Sequence, residues 1–111
     1  MRMKDLKGKT VVITGAASGI GRGLALALAH EGCAMLLSDI NRERLNETLQ
    51  LVRQAGGSAE TFLCDVSKAD DVMRLADRGF DAFGKVDILI NNAGVASAGI
   101  TGDIPIEDWE W

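Results

Sequence analysis

Tyrosine is absent from this chain of 111 residues, and proline, histidine and cysteine are nearly so, at one, one and two. Each shortage removes a reading. Without tyrosine there is no phenol for proton transfer. Cys33 and Cys64 both fall in apolar, strand-like runs, which suits buried free thiols in a reducing compartment rather than a disulfide or a metal pair. No clustering of ligand-type side chains suggests a metal. His30 falls late in a helical stretch, where a surface cation near the C-terminus is the expected role. Apolar runs are short: Val11-Val12-Ile13 ends at Gly15, and nothing approaches the roughly 20 residues of a membrane helix. The opening Met-Arg-Met-Lys is followed by Asp5, Lys7 and Lys9, so no secretory segment is expected and the location expected is the cytoplasm. Basic residues are scattered, and 12 Lys and Arg against 16 Asp and Glu leave a net charge of -4. That balance argues against nucleic acid or an anionic membrane as partner. What is present is 47% hydrophobic residues, enough for one core, with no repeat, low-complexity tract or linker, so residues 1–111 read as one domain.

Strand and helix patterns alternate along the chain. Residues 10 to 14 are β-branched and uninterrupted by polar alternation, as in a fully buried strand. Residues 19 to 31 predict a helix with Ile20, Leu24, Ala27 and Leu28 on its inner face and Gly32 ending it. A second buried strand covers 33 to 38 and is followed by Asp39. Asn41 is placed to cap a helix whose Leu45, Leu49 and Val52 share a face before Gly56-Gly57. A third strand covers 59 to 64. Ser67 and Asp70 then resemble a capping box, and Val72, Leu75, Ala76, Gly79, Phe80 and Phe83 form a helical stripe. Val86 to Asn91 read as a fourth strand, and Pro105 as the opening of a last helix. Such alternation implies an α/β fold, a Rossmann-like doubly wound parallel sheet with helices on both faces. In strand order 3-2-1-4, the loops after strands 1 and 4 face each other across the crevice where ligands bind.

The chain is organised around Thr14-Gly15-Ala16-Ala17-Ser18-Gly19-Ile20-Gly21, a strand end, a glycine turn and a helix start. Gly15 allows the tight turn, Gly19 a close backbone approach to a ligand, and Gly21 close packing of the new helix. The first amides of that helix lack internal partners and its N-terminus is partially positive, which suits a pyrophosphate. The spacing is neither Gly-x-Gly-x-x-Gly, since position 24 is Leu, nor a P-loop, since no Lys-Ser/Thr pair follows. An ordinary βα turn would also use glycines this way.

These residues resemble the Thr-Gly-x-x-x-Gly-Ile-Gly turn of the short-chain dehydrogenase/reductase family, oxidoreductases that use NAD or NADP. The resemblance extends to Asp39, Asp65-Val66 and Asn91-Asn92-Ala93-Gly94, each following a successive strand, and covers Leu6 to Trp111. It implies a dinucleotide site made of Gly15, Ser18, Gly19, Ile20, Asp39, Asp65, Val66, Asn92, Ala93 and Gly94. Asp39 would bond the adenosine ribose hydroxyls, Asp65 and Val66 would meet the adenine, and Asn92, Ala93 and Gly94 would line the ribose and nicotinamide end. Asn91 would tie strands together. Taken singly, Asp39 and Asp65 could equally cap helices, and Asn-Asn-Ala-Gly could be a turn. With Asp39 beside the ribose, NAD is expected in preference to NADP, because a carboxylate would crowd the 2'-phosphate with like charge. Arg42 is the residue that could soften this.

In the family a Tyr acts as general acid/base, a Lys in Tyr-x-x-x-Lys lowers its pKa, a Ser orients the substrate and an Asn supports the proton relay. No position here matches them, so no catalytic residue is assigned; Lys85 and Ser97 offer no substitute. The chain is therefore expected to be the cofactor-binding part of a homo-oligomeric parent that moves hydride between NAD and a small alcohol or carbonyl substrate. It is expected to bind but not to turn over. A nucleotide-binding or regulatory module without chemistry is the alternative; an interaction protein that keeps only the fold is disfavoured. If the sheet stops at strand 4, its outer edge lacks a partner and the faces around strands 1 and 4 are exposed, which predicts marginal stability and self-association.

Overall fold

A computed structural model describes residues 6–17, 19–92 and, for their backbone, 99–101. Strand β1 (Thr10–Thr14) is followed by helix α1 (Gly19–His30), strand β2 (Ala34–Asp39), helix α2 (Arg42–Gln54), strand β3 (Ser58–Leu63), helix α3 (Ala69–Phe83) and strand β4 (Ile88–Asn91). A short strand β5 (Gly99–Thr101) follows. The sheet order is β3-β2-β1-β4-β5. The first four strands are parallel, with Val12 level with Leu36 on one side and Leu89 on the other. This is the doubly wound order expected, with the winding reversing between β1 and β4.

The fifth strand was not expected. It pairs antiparallel with β4, setting Leu89 against Thr101, Ile90 against Ile100 and Asn91 against Gly99. The outer edge of β4 is therefore occupied. The faces around it are closed as well: Val11, Val12, Ile13, Ile88, Leu89 and Ile90 are all buried. The expectation of an unpaired edge and an exposed sheet face is thus corrected; an edge that finds three residues of its own chain offers no template there.

Alternation along the strands divides the core. Val11, Ile13, Met35, Leu37, Ile88 and Ile90 point to one face, where Ala25, Leu28, Leu45, Leu49 and Val52 from α1 and α2 close over them. Val12, Leu36 and Leu89 point to the other, against Leu75 of α3 and Cys64. The α2 stripe is the expected one, and Asn41 caps that helix, its side-chain oxygen accepting from the Arg44 amide at 3.0 Å. Helix α1 is rotated from expectation: Gly21, Ala25, Leu28 and Ala29 are buried, Ala27 is exposed and Ile20 is 69% exposed. Small residues face the sheet, so the helix lies close to it and the bulky Ile20 is left outward. In α3, Phe80 lies at the rim of the stripe, exposed. No capping box forms either. Lys68 is the N-cap without a side-chain bond, and the Ser67 hydroxyl donates to Asp65 instead.

Cys33 and Cys64 are buried free thiols. Burial pushes both thiols above their ordinary pKa. His30 ends α1 exposed. No helix among the described residues is long and apolar enough to cross a membrane, and no group of metal-ligating side chains is found among them.

Candidate functional site

At the C-terminal ends of β1, β2, β3 and β4 the chain leaves a cleft of about 390 Å³ lined by Thr14, Gly15, Ser38, Asp39, Ile40, Cys64, Asp65, Val66, Ser67 and Asn92. An open α/β sheet places its ligand crevice at this end, at the point where the winding reverses. Five of the ten residues expected to hold a dinucleotide therefore line one cavity: Gly15, Asp39, Asp65, Val66 and Asn92. Gly19 and Ile20 open α1 beside it without lining it. Ser18, Ala93 and Gly94 lie outside the described residues.

The glycine turn is built by close approach. Gly15 has φ 66°, a left-handed conformation that a side chain would strain. A Cβ on Gly21 would stand 2.0 Å from the Gly15 carbonyl oxygen and 2.9 Å from Asn92 Nδ2. Gly21 thus serves contact between helix and turn more than contact between helix and sheet. Helix α1 has no acidic residue in its first turn, whereas α2 has Glu43 and α3 has Asp70 and Asp71. The partial positive charge of its N-terminus is left without a carboxylate of its own, which favours an anion there.

Asp39 faces two ways. Its Oδ2 accepts from the Ala17 amide at 3.0 Å, while Oδ1 accepts from the amides of Ile40 at 2.7 Å and Asn41 at 3.2 Å. The carboxylate is fixed at the cleft wall by backbone from both sides, and helix capping falls to Asn41. Asp65 is held by Ser67, whose amide and hydroxyl both donate to its Oδ1, at 3.0 and 2.6 Å. Those two donors hold the Asp65 carboxyl below the usual carboxylate range, so it stays an acceptor at neutral pH. The Asp65 amide in turn donates to Asp71 Oδ2 at 3.0 Å.

The loop after β4 is tied to the glycine turn. Thr14 Oγ1 donates to Asn91 Oδ1 at 3.1 Å and accepts from the Asn92 amide at 3.1 Å; Asn92 Nδ2 donates to the Gly15 carbonyl at 3.3 Å. Asn91 joins strands as expected. The Asn92 side chain does structural service to the turn as well as lining the cleft.

Ser38, Ile40, Cys64, Ser67 and Thr14 are lining residues that sequence reasoning missed. Ile40, 71% exposed, had a legible signal: a large apolar residue between Asp39 and a helix cap. Ser38 is fully buried, and its Oγ makes no well-formed hydrogen bond among the described residues. The Cys64 thiol beside it is a weak partner.

A doubly wound sheet, a glycine turn at its switch point, and carboxylates closing the next two strands define a nucleotide-binding α/β class. The particular family follows from comparison with known proteins: the family model described as short chain dehydrogenase matches residues 9–111, and the chain belongs to that family. An uncharacterized oxidoreductase, YxbG, of Bacillus subtilis (strain 168) is 47% identical over 97 residues, which are 87% of this chain and 36% of that protein. The crystal structure of a hydroxysteroid dehydrogenase from Escherichia coli matches 86% of this chain and 40% of its own at TM-score 0.80 and 39% identity. That of an NAD+-bound xylitol dehydrogenase matches 81% and 35% at TM-score 0.78 and 42% identity. The chain thus spans little more than a third of the length of the curated relatives it matches.

Proposed function

We propose that this chain is the NAD-binding part of an oxidoreductase that moves hydride between the dinucleotide and a small alcohol or carbonyl compound. The observation that carries the reading is that Gly15, Asp39, Asp65, Val66 and Asn92, drawn from four separate strand ends, line one cleft. An NAD+-bound structural neighbour at 42% identity supports the choice of ligand. The residues fit the group. The start of α1, with no acidic residue in its first turn, suits the pyrophosphate, Asp39 the ribose hydroxyls, and Asp65 and Val66 the base. When bound, the dinucleotide supplies the hydride acceptor or donor. The chain's own residues bind and orient it. With no tyrosine in the chain, no phenol is present to move the accompanying proton, and general acid/base catalysis is worth roughly 10²- to 10⁴-fold. Binding without turnover is the property proposed for these 111 residues; the substrate step, a homo-oligomeric assembly and a cytoplasmic setting are proposed for a longer parent.

NAD is preferred over NADP in this reading. Both Asp39 oxygens are anchored by backbone amides, so the carboxylate cannot swing aside to admit a 2'-phosphate, and like charges in contact cost several kcal/mol. Fluorescence titration with NADH and NADPH tests it. Tighter NADH binding is expected, and equal or tighter NADPH binding overturns Asp39 as the ribose ligand.

A further inference from the structure

An ionised carboxylate only accepts hydrogen bonds, so what it can select depends on which of its oxygens the protein leaves unused. Asp39 and Asp65 line the cleft, and Asp71 bonds the Asp65 backbone. Asp39 has a backbone amide on each oxygen. Asp71, in the first turn of α3, is engaged at both as well: Oδ2 accepts from the Asp65 amide at 3.0 Å, and Oδ1 from Arg74 Nη2. Asp65 differs. Its Oδ1 takes both Ser67 donors, the amide at 3.0 Å and the hydroxyl at 2.6 Å, while its Oδ2 has no hydrogen bond among the described residues.

The backbone around Asp65 is pinned. The Cys64 amide donates to the Asp39 carbonyl at 3.1 Å, which ties the end of β3 to that of β2, and the Lys68 amide donates to the Asp65 carbonyl at 2.9 Å. With the Asp65 amide held by Asp71, the freedom that remains is rotation of the Asp65 side chain. Ser67 is what stops it. The same cleft is lined by Ile40, after β2, and Val66, after β3, and those strands are neighbours in the sheet. Apolar walls with one fixed acceptor suit a flat heteroaromatic ring that carries a donor at its edge. An amino group meets that need; an oxo group in its place sets oxygen against oxygen.

We propose that Ser67 is a positioning residue for base selection: by holding Asp65 Oδ1 it leaves Oδ2 as a fixed, lone acceptor, so the site takes a dinucleotide whose base carries an amino group and rejects one with an oxo group there. This rests on the dinucleotide reading above and adds to it a residue and a selectivity. A preorganised acceptor needs little ordering on binding, and a polar group left without its partner is penalised. Releasing the carboxylate therefore weakens the amino base and relieves the oxo base, and the preference between them falls.

The test compares NADH with reduced nicotinamide hypoxanthine dinucleotide, in which an oxo group replaces the amino group of the base, by fluorescence titration of this 111-residue chain and its variants. The unmodified chain is expected to bind NADH about tenfold more tightly than the hypoxanthine dinucleotide. Ser67 is exposed, so its substitution leaves the core intact. Ser67→Ala is expected to weaken NADH about fivefold without weakening the hypoxanthine dinucleotide, and Ser67→Thr, which keeps the hydroxyl, is expected to retain the preference. A merely structural role would weaken both ligands alike and leave their ratio unmoved. Equal binding of the two by the unmodified chain overturns the proposal, as does an unchanged ratio in Ser67→Ala. Failure of the unmodified chain to bind NADH is a different result: it overturns the dinucleotide reading itself, and this inference with it.

Discussion

A methyl group placed on Gly21 would meet the Gly15 carbonyl oxygen at 2.0 Å and the Asn92 amide nitrogen at 2.9 Å; both belong to fixed parts of the site, so neither can give way cheaply. Gly21→Ala is expected to cost about 1–3 kcal/mol, as overpacking does, and to lower the melting temperature by several degrees while weakening NADH. Gly23 is a fair control, because a Cβ there meets nothing within 4 Å, and Gly23→Ala within the same helix is expected to be neutral or slightly stabilising. Equal melting temperatures for the two variants would show that the helix start is not packed against the turn. That glycines were needed at 15 and 21 was legible in the sequence, because only their spacing after a β-branched run was required. The partner of Gly21 was not. Which surface a glycine lets in depends on the Asn92 loop, some 70 residues downstream in sequence and brought alongside by the parallel pairing of β1 with β4. Thr48 was passed over for a similar reason: a threonine between Leu45 and Leu49 belongs to the apolar stripe by position, and its hydroxyl matters only once α2 is known to lie against the Ala16 carbonyl.

Elements carry the next level of constraint. The opposite end of the sheet from the cleft is closed by Asp87, whose Oδ2 accepts from the Thr10 amide at 2.8 Å and faces Lys85 Nζ at 3.1 Å, while its own amide donates to the Thr10 carbonyl. Partial burial works to raise the Asp87 pKa, but the Thr10 amide and Lys85 outweigh it and hold the carboxyl below its usual value. A carboxylate whose pKa is lower folded than unfolded stabilises the fold above the unfolded value, about 3.9, and that stabilisation is lost as pH falls through the folded value. Urea midpoints for the unmodified chain and Asp87→Asn are expected to differ at pH 7 and to converge below about pH 4. A gap that stays constant from neutral to acid would show that the Asp87 charge contributes nothing. The strand that follows Asp87, β4, also reverses an expectation. The sequence predicts an unpaired outer edge for this strand; in the structure its Leu89 is 6% exposed, packed with Val12, Leu36 and Leu75. Leu89→Lys is therefore expected to destabilise by at least about 2 kcal/mol, seen as a lower urea midpoint. No loss of stability would restore the open-edge picture. The strand and helix order, the α2 face and the Asn41 cap were all readable because each is set by local periodicity or a neighbouring residue. The rotation of α1 and the presence of β5 were not. The first depends on which small residues the sheet admits, and the second on a three-residue strand, Gly-Ile-Thr, too short for any alternation to show although two of its residues are β-branched.

At the scale of the molecule, β1 to β4 converge four cleft-lining segments on one rim and leave the other rim to structural ties such as Asp87 with Thr10. That polarity is the central claim, and backbone amide resonances measure it directly. Titrating NAD into isotope-labelled chain is expected to shift Gly15, Asp39, Asp65, Val66 and Asn92 together, with a single affinity, while Thr10, Asp87 and the α3 C-cap Gly84 stay in place. Absence of any shift, or shifts centred on Thr10 and Asp87, would contradict the account.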